Sequence, residues 1–388
     1  MNRTRASVLL PVIIFCLLLC SCFSDSGDRR LEIQETAVSD HAGGLNFSMH
    51  PGDARLYMIY PSVDALSLNL VTAELSRGSL RPNLEDTKYL DRISYSPDID
   101  DSFGRHLFLS DDRFHHILYI DREGEENSVL KWLSQTGTDD TWWIDAFPGL
   151  SEPLAAVPEQ EGALQVVVSE GTSLSLYRLQ PEGQPLQLAS TALSTGPLQP
   201  AGRTYVVRQG DHWAFSVYDD RSKRLYFVHP GQGTLEIEPV YTSAAVHYST
   251  ILDDRLRILL FEPGKSKIML LDRALIWDQA ADQRSFEVLP VTLCEGTSSV
   301  FLTTYNGRHL FLFNERVFDQ REQDTYQLSL LYPGSNGTKY EKVVLVEGDA
   351  DIQGFTALKV ADTLYVLYLR KDELTLLSAS LEKLSSQP

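Results

Sequence analysis

Between residues 31 and 384 the apolar positions fall in short runs of five to nine, broken by Gly, Pro, Asp and Asn. Some runs alternate apolar with polar side chains, and others are continuously apolar. No window carries the i, i+3, i+4 recurrence with caps that a helix needs, so the pattern predicts strands throughout. The clearest unit is an apolar strand, a polar turn and a second apolar strand. Its first strands begin at residues 56, 107, 164, 213, 257, 310 and 364. The mean spacing is about 51 residues, close to the ~40–50 of a four-stranded propeller blade.

Further strand-like runs flank these hairpins. Residues 45–49, Arg92-Ile93-Ser94-Tyr95 and 204–207 precede one; residues 129–133, 186–189 and 235–238 follow one. Seven such units fill residues 31–384 and leave no second domain. The predicted fold is therefore all-β: a single seven-bladed β-propeller of four-stranded antiparallel blades. The alternative weighed against it is an irregular pair of β-sandwiches. The seventh unit lacks a fourth strand, because only a tail, residues 385–388, follows it. Leu31-Glu32-Ile33-Gln34-Glu35-Thr36 alternates apolar with polar and is expected to complete the last blade. Closure of this kind ties the two ends together and removes an exposed edge.

The first 21 residues follow a different pattern. Arg3 and Arg5 precede an uncharged apolar run of twelve, Val8 to Leu19. A spanning helix needs about 20 such residues, so the run reads as the core of a secretory signal. Leu19-Cys20-Ser21-Cys22 follows. It resembles the bacterial lipoprotein signal, with Leu three places before Cys22 and small Ser21 directly before it. That resemblance implies cleavage before Cys22, a lipid such as palmitate on Cys22, and residues 22–30 as a polar tether to the body. In that family an Asp directly after the Cys goes with retention at the inner membrane. Phe23 stands there, which favours the outer membrane.

Cleavage would leave Cys22 and Cys294 as the remaining cysteines. With lipid on Cys22, Cys294 has no partner within the chain, and its apolar surroundings suit a buried thiol. The chain carries 53 acidic and 34 basic side chains, net −19, and loss of Arg3 and Arg5 makes this −21. Such acidity opposes sequence-independent binding to nucleic acid and electrostatic attraction to anionic headgroups. The implied membrane contact is the lipid on Cys22.

The entry turns carry a second resemblance. Ser96-Pro97-Asp98, then Gly104-Arg105-His106-Leu107-Phe108-Leu109-Ser110, is similar to the repeat of bacterial WD-like and lactonase-type propellers, interrupted by an insertion. His50-Pro51-Gly52-Asp53-Ala54-Arg55-Leu56 and Asn306-Gly307-Arg308-His309-Leu310 match more loosely.

Two segments stand out as candidate binding surfaces. Asn314 to Asp324 (NERVFDQREQD) reads as the longest polar tip, with Arg316, Val317 and Phe318 placed to anchor a partner. Thr136 to Gly149 reads as the link between blades two and three. It sets Trp142, Trp143 and Phe147 beside Asp139, Asp140 and Asp145, a mixture suited to a sugar or a cationic group. Each also has a structural reading: Phe318 folded onto the blade edge, and the Trp pair packed between blades.

Metal chemistry is not expected. Asp98, Asp100, Asp101 and Ser102 begin like a calcium loop, but Phe103 and Leu109 stand where its Gly and closing Glu belong. His106, His212 and His309 precede hairpins in alternate blades, too far apart to share one ion. No nucleophile elbow, H-E-x-x-H or phosphate loop occurs, so neither a catalytic residue nor a cofactor is assigned.

The leading expectation is a non-enzymatic, lipid-anchored scaffold of the bacterial cell envelope that binds a protein or another ligand. One alternative is a hydrolase or lactonase with its site on the central channel. Inner-strand candidates for it are Tyr95, Tyr205, His247, Tyr248, Thr303 and Tyr305. The other alternative is an accessory subunit of an envelope assembly machine.

Overall fold

The computed structural model describes residues 31–385, apart from 53, 77–79, 94–104, 111–112, 124–126, 137–140, 194–195, 244–245, 263–266, 275–283, 293–296, 319–323 and 335–338. The described residues form 29 strands, numbered β1–β29 in chain order, in seven antiparallel sheets. The fold is an all-β seven-bladed propeller. Blades two to six each take four consecutive strands. In blade one, β5 (Asn83–Leu84) and β6 (Lys88–Arg92) share the outer place, both paired with β4 (Ser67–Glu74).

The innermost strands are β2 (Ser48–Gly52), β7 (His106–Ser110), β11 (Pro153–Pro158), β15 (Tyr205–Gln209), β19 (Val246–Leu252), β23 (Val300–Tyr305) and β27 (Ile352–Val360). Each touches the next, and β27 returns to β2, so they close a ring around a central channel. Closure comes from the N-terminal segment. Strand β1 (Ile33–Ser39) lies antiparallel on β29 (Glu373–Ser380), from Ile33 opposite Ala379 to Ser39 opposite Leu374. The Tyr368 hydroxyl donates to Glu35 Oε1 at 2.9 Å across this closure.

Seven apolar clusters fill the seven gaps between neighbouring blades. Ile59, Leu70, Phe108 and Ile117 join blades one and two. Trp132, Phe147, Ala156 and Val166 join two and three. The ring ends at Leu367, Leu369, Met58 and Phe47, between blades seven and one. Middle strands are therefore buried on both faces, which explains why their sequences run continuously apolar instead of alternating. Burying one Leu or Phe completely is worth about 1.5–3 kcal/mol, so the clusters dominate the cohesion of the ring.

Blade two corrects the strand assignment read from sequence. Leu107–Leu109 was expected as a second strand but lies on innermost β7. Residues 129–133, expected as the fourth strand, belong to the third, β9 (Asn127–Thr136). Arg92 ends the outer strand of blade one instead of opening blade two. The true fourth strand is β10 (Trp143–Pro148), paired along β9 from Trp143 opposite Ser134 to Pro148 opposite Val129. Residues 143–148 are thus part of a blade and not a link between blades.

Antiparallel order fixes the two rims of the ring. Inner strands begin at the entry rim, where second strands end and third strands start. They finish at the exit rim, where the first-to-second and third-to-fourth turns lie. The turns at 170–173, 219–224 and 370–373 occupy the entry rim. The turn before β8 (Phe114–Glu123) joins first and second strands, so Arg113 belongs to the exit rim.

Candidate functional site

The residues singled out in the sequence do not converge. Arg316 and Val317 lie in β24 (Arg308–Phe318), paired with Tyr326 and Thr325 of β25 (Asp324–Pro333). Residues 314–318 and 324 of the segment read as a loop therefore belong to a hairpin ladder, whose backbone groups satisfy each other, while 319–323 lie outside the described residues. Arg316 makes an ion pair with Asp324. Phe318 takes its place in the ladder opposite Asp324. Asn314 is buried and structural. Its Oδ1 accepts from the Ser298 and Ser299 amides at 3.1 Å each, and its Nδ2 donates to the Ile352 carbonyl at 2.7 Å.

At the other site, Trp142 packs against the cluster between blades one and two, while Trp143 on outer β10 is 63% exposed. Asp140, Cys22, Cys294, Tyr95 and the residues 98–103 lie outside the described residues. His106, His212 and His309 sit on β7, β16 (His212–Asp219) and β24, spread over blades two, four and six. Among the described residues no three His, Cys, Asp or Glu side chains are grouped to hold one metal ion.

Two other places gather chemistry. The first is a cleft of about 1290 Å³ at the exit rim, between blades three and four and reaching blade five. Its floor is Trp213, whose indole N–H donates to Gln165 Oε1 at 3.1 Å. Ion pairs line its walls: Arg178 with Glu159 at 2.7 Å, Arg273 with Glu238 at 2.6 Å and His229 with Glu236 at 3.4 Å. Arg273 is nearly buried, stacks 5.1 Å from the Phe227 ring centre, and burial lowers its pKa. Exposed ion pairs add little stability. Here they hold donors and acceptors of both signs in fixed positions along an open trough.

The second place is the channel. Tyr205, Tyr248 and Phe301 of blades four, five and six form an aromatic run, with ring centres 4.9 and 5.0 Å apart. His247 is buried beside them, and its Nε2 lies 3.0 Å from the Ser216 hydroxyl. Burial holds its pKa down to about 4. Burial likewise raises the pKa values of Tyr205 and Tyr248. Thr303 and Tyr305 share the next inner strand, with Tyr305 in the core. Near the entry rim, Ser48, His50, His106 and Arg203 come together from blades one, two and four.

The cleft residues were not legible as a set in the sequence, because three blades contribute them. A local signal existed only for Trp213, at the head of its strand. Arg203 directly precedes a predicted inner strand, yet its reach across the ring has no local signature.

No family model and no curated protein sequence matches the chain. Solved structures do resemble it. One is "YCF48 bound to D1 peptide", at 14% identity, covering 92% of this chain and 99% of that one, with a TM-score of 0.53. Another is YCF48 from Cyanidioschyzon merolae, at 12% identity, covering 90% and 99%, with a TM-score of 0.52. The likeness spans the whole ring. It establishes a WD-like β-propeller fold.

Proposed function

We propose that this protein is a non-enzymatic binding scaffold of the bacterial envelope, anchored by lipid on Cys22, and that its exit-rim cleft seats an extended segment of a partner protein. The observation that carries the reading is the cleft itself. It is about 1290 Å³, open, and walled by paired Arg, Glu and His groups over a Trp floor. A peptide presents alternating amide donors and acceptors with side chains of either sign. A trough of fixed mixed charges matches that better than it matches a small apolar ligand. A propeller of the same architecture is known bound to a peptide, which supports the class of ligand. The lipobox-like Leu19-Cys20-Ser21-Cys22 and the neighbouring Phe23 support tethering at the outer membrane.

Photo-crosslinking in cells tests the seat. A photoreactive residue at Gln232, in the cleft, should give an adduct of one defined mass. The same group at Leu186, exposed on the outer strand of blade three, should not. Equal adducts from both positions, or none from Gln232, would remove the cleft as the binding site.

A further inference from the structure

The chain is strongly acidic, at −19 overall, yet Arg203, His50 and His106 gather near the channel entry. Arg203 precedes β15 of blade four, and its side chain crosses the channel to blade one. Its Nη2 donates to the Leu45 carbonyl at 3.3 Å and the Phe47 carbonyl at 2.9 Å, with the guanidinium carbon 5.1 Å from the Phe47 ring centre. Three steps around the ring separate these blades one way and four the other, so the contact is close to a diameter. Gly354 of blade seven leaves room for Leu45, since a Cβ there would stand 3.2 Å from the Leu45 side chain.

Arg203 makes no ion pair with a carboxylate among the described residues. Its Nε and Nη1 are left for another acceptor. Beside it stands His50 on β2, its ring stacked 4.4 Å from that of Phe108. The Nε2 of His50 is buried and has no hydrogen-bond partner among the described residues. Across from it, His106 Nε2 lies 2.6 Å from the Ser48 hydroxyl. Burial first, then the neighbouring His106 and Arg203, hold the pKa of His50 down to about 3. A half-buried guanidinium with no counter-charge among the described residues and an orphaned buried imidazole nitrogen are both costly on their own. One group relieves both: an anion with at least two oxygens.

We propose that the central channel is an anion site, in which Arg203 and His50 bind the carboxylate or phosphate group of a small ligand. A guanidinium presents two parallel N–H donors to such a group, and the imidazole supplies a third contact. The site is separate from the exit-rim cleft, at the opposite rim, and stands whether or not that cleft holds a peptide.

The experiment uses the folded chain with two probes, inorganic phosphate and succinate, each compared with chloride at matched ionic strength. Calorimetric binding of at least one probe is expected, with the two arms telling phosphate from carboxylate. Arg203→Gln should weaken that binding at least tenfold, while Arg203→Lys keeps part of it. Arg178→Gln, in the cleft, should leave it unchanged. Arg203 also ties two blades together, so Arg203→Gln could fail to fold. In that case the imidazole NMR signals of His50 in the unaltered protein, assigned with His50→Gln, decide the matter. A shift of those signals on adding the probe supports the site. Binding no different from chloride, binding retained in Arg203→Gln, or unmoved His50 signals would overturn it.

Discussion

His247 shows how one buried side chain sets a property of the whole ring. It sits between blades four and five, with its Nε2 against the Ser216 hydroxyl, and burial holds its pKa down to about 4. Unfolded, it titrates near 6.5. Between those values the unfolded chain binds a proton that the folded ring does not, so stability falls as pH drops from about 6.5 to about 4. The loss from this one group is about 3 kcal/mol, complete near its folded pKa. His50, held down to about 3, adds a parallel dependence. Urea unfolding at about pH 7 and about pH 4.5 should therefore show a smaller pH dependence in His247→Asn, by roughly half. An unchanged dependence would place the proton uptake on other groups. At the same scale, Gly52 answers a steric demand. A Cβ there would lie 2.5 Å from the Tyr57 ring, so the turn read from His50-Pro51-Gly52 needs a residue without a side chain.

At the scale of elements, β1 has the largest leverage. It supplies the outer strand of blade seven from the opposite end of the described chain, and its Leu31 and Ile33 pack on the cluster between blades six and seven. Its removal uncovers the edge of β29 and opens the ring where the two ends meet. Deleting residues 31–39 should lower the melting temperature by about 10 °C or more, as expected for a loss of several kcal/mol in a domain of this size. Thermal melting identical to the full chain would mean that the ring holds without its closure. Strand existence was legible in the sequence, and so was the closing role of β1, because Leu31 to Thr36 alternates. Strand rank within a blade was not legible in blade two. Leu107–Leu109 and Ile117–Ile120 are both continuous apolar runs, and nothing in their composition tells first from second. The outer strand β10 was missed as well: Trp143 and Ile144 face solvent there, which removes the apolar alternation that marks a half-buried strand.

For the molecule as a whole, seven inter-blade clusters distribute cohesion around the ring, while the proposed anchor lies outside it. Fold and attachment are then separable. Cys22→Ser should abolish incorporation of labelled palmitate and release the protein from the membrane fraction, with its melting temperature unchanged. Palmitate labelling that persists in Cys22→Ser would remove the proposed anchor. The same separation applies to the charges. Net acidity over the whole chain coexists with Arg203, His50 and His106 gathered near the channel entry, so the sign of the whole chain does not predict the charge of each local site.

The sequence by itself determined the all-β class, the sevenfold repeat and the closing strand. Each follows from local alternation and spacing, which are properties of consecutive residues. It also supplied the residues of the proposed anchor at Cys22. Only the tertiary structure decided where binding chemistry gathers. Arg203 meets Leu45 and Phe47 across more than 150 residues of chain, and Trp213 meets Gln165 across 48. Such meetings depend on how blades are rotated about a common axis. A periodic pattern states that blades exist, but it carries no information on which side chains face each other across the ring.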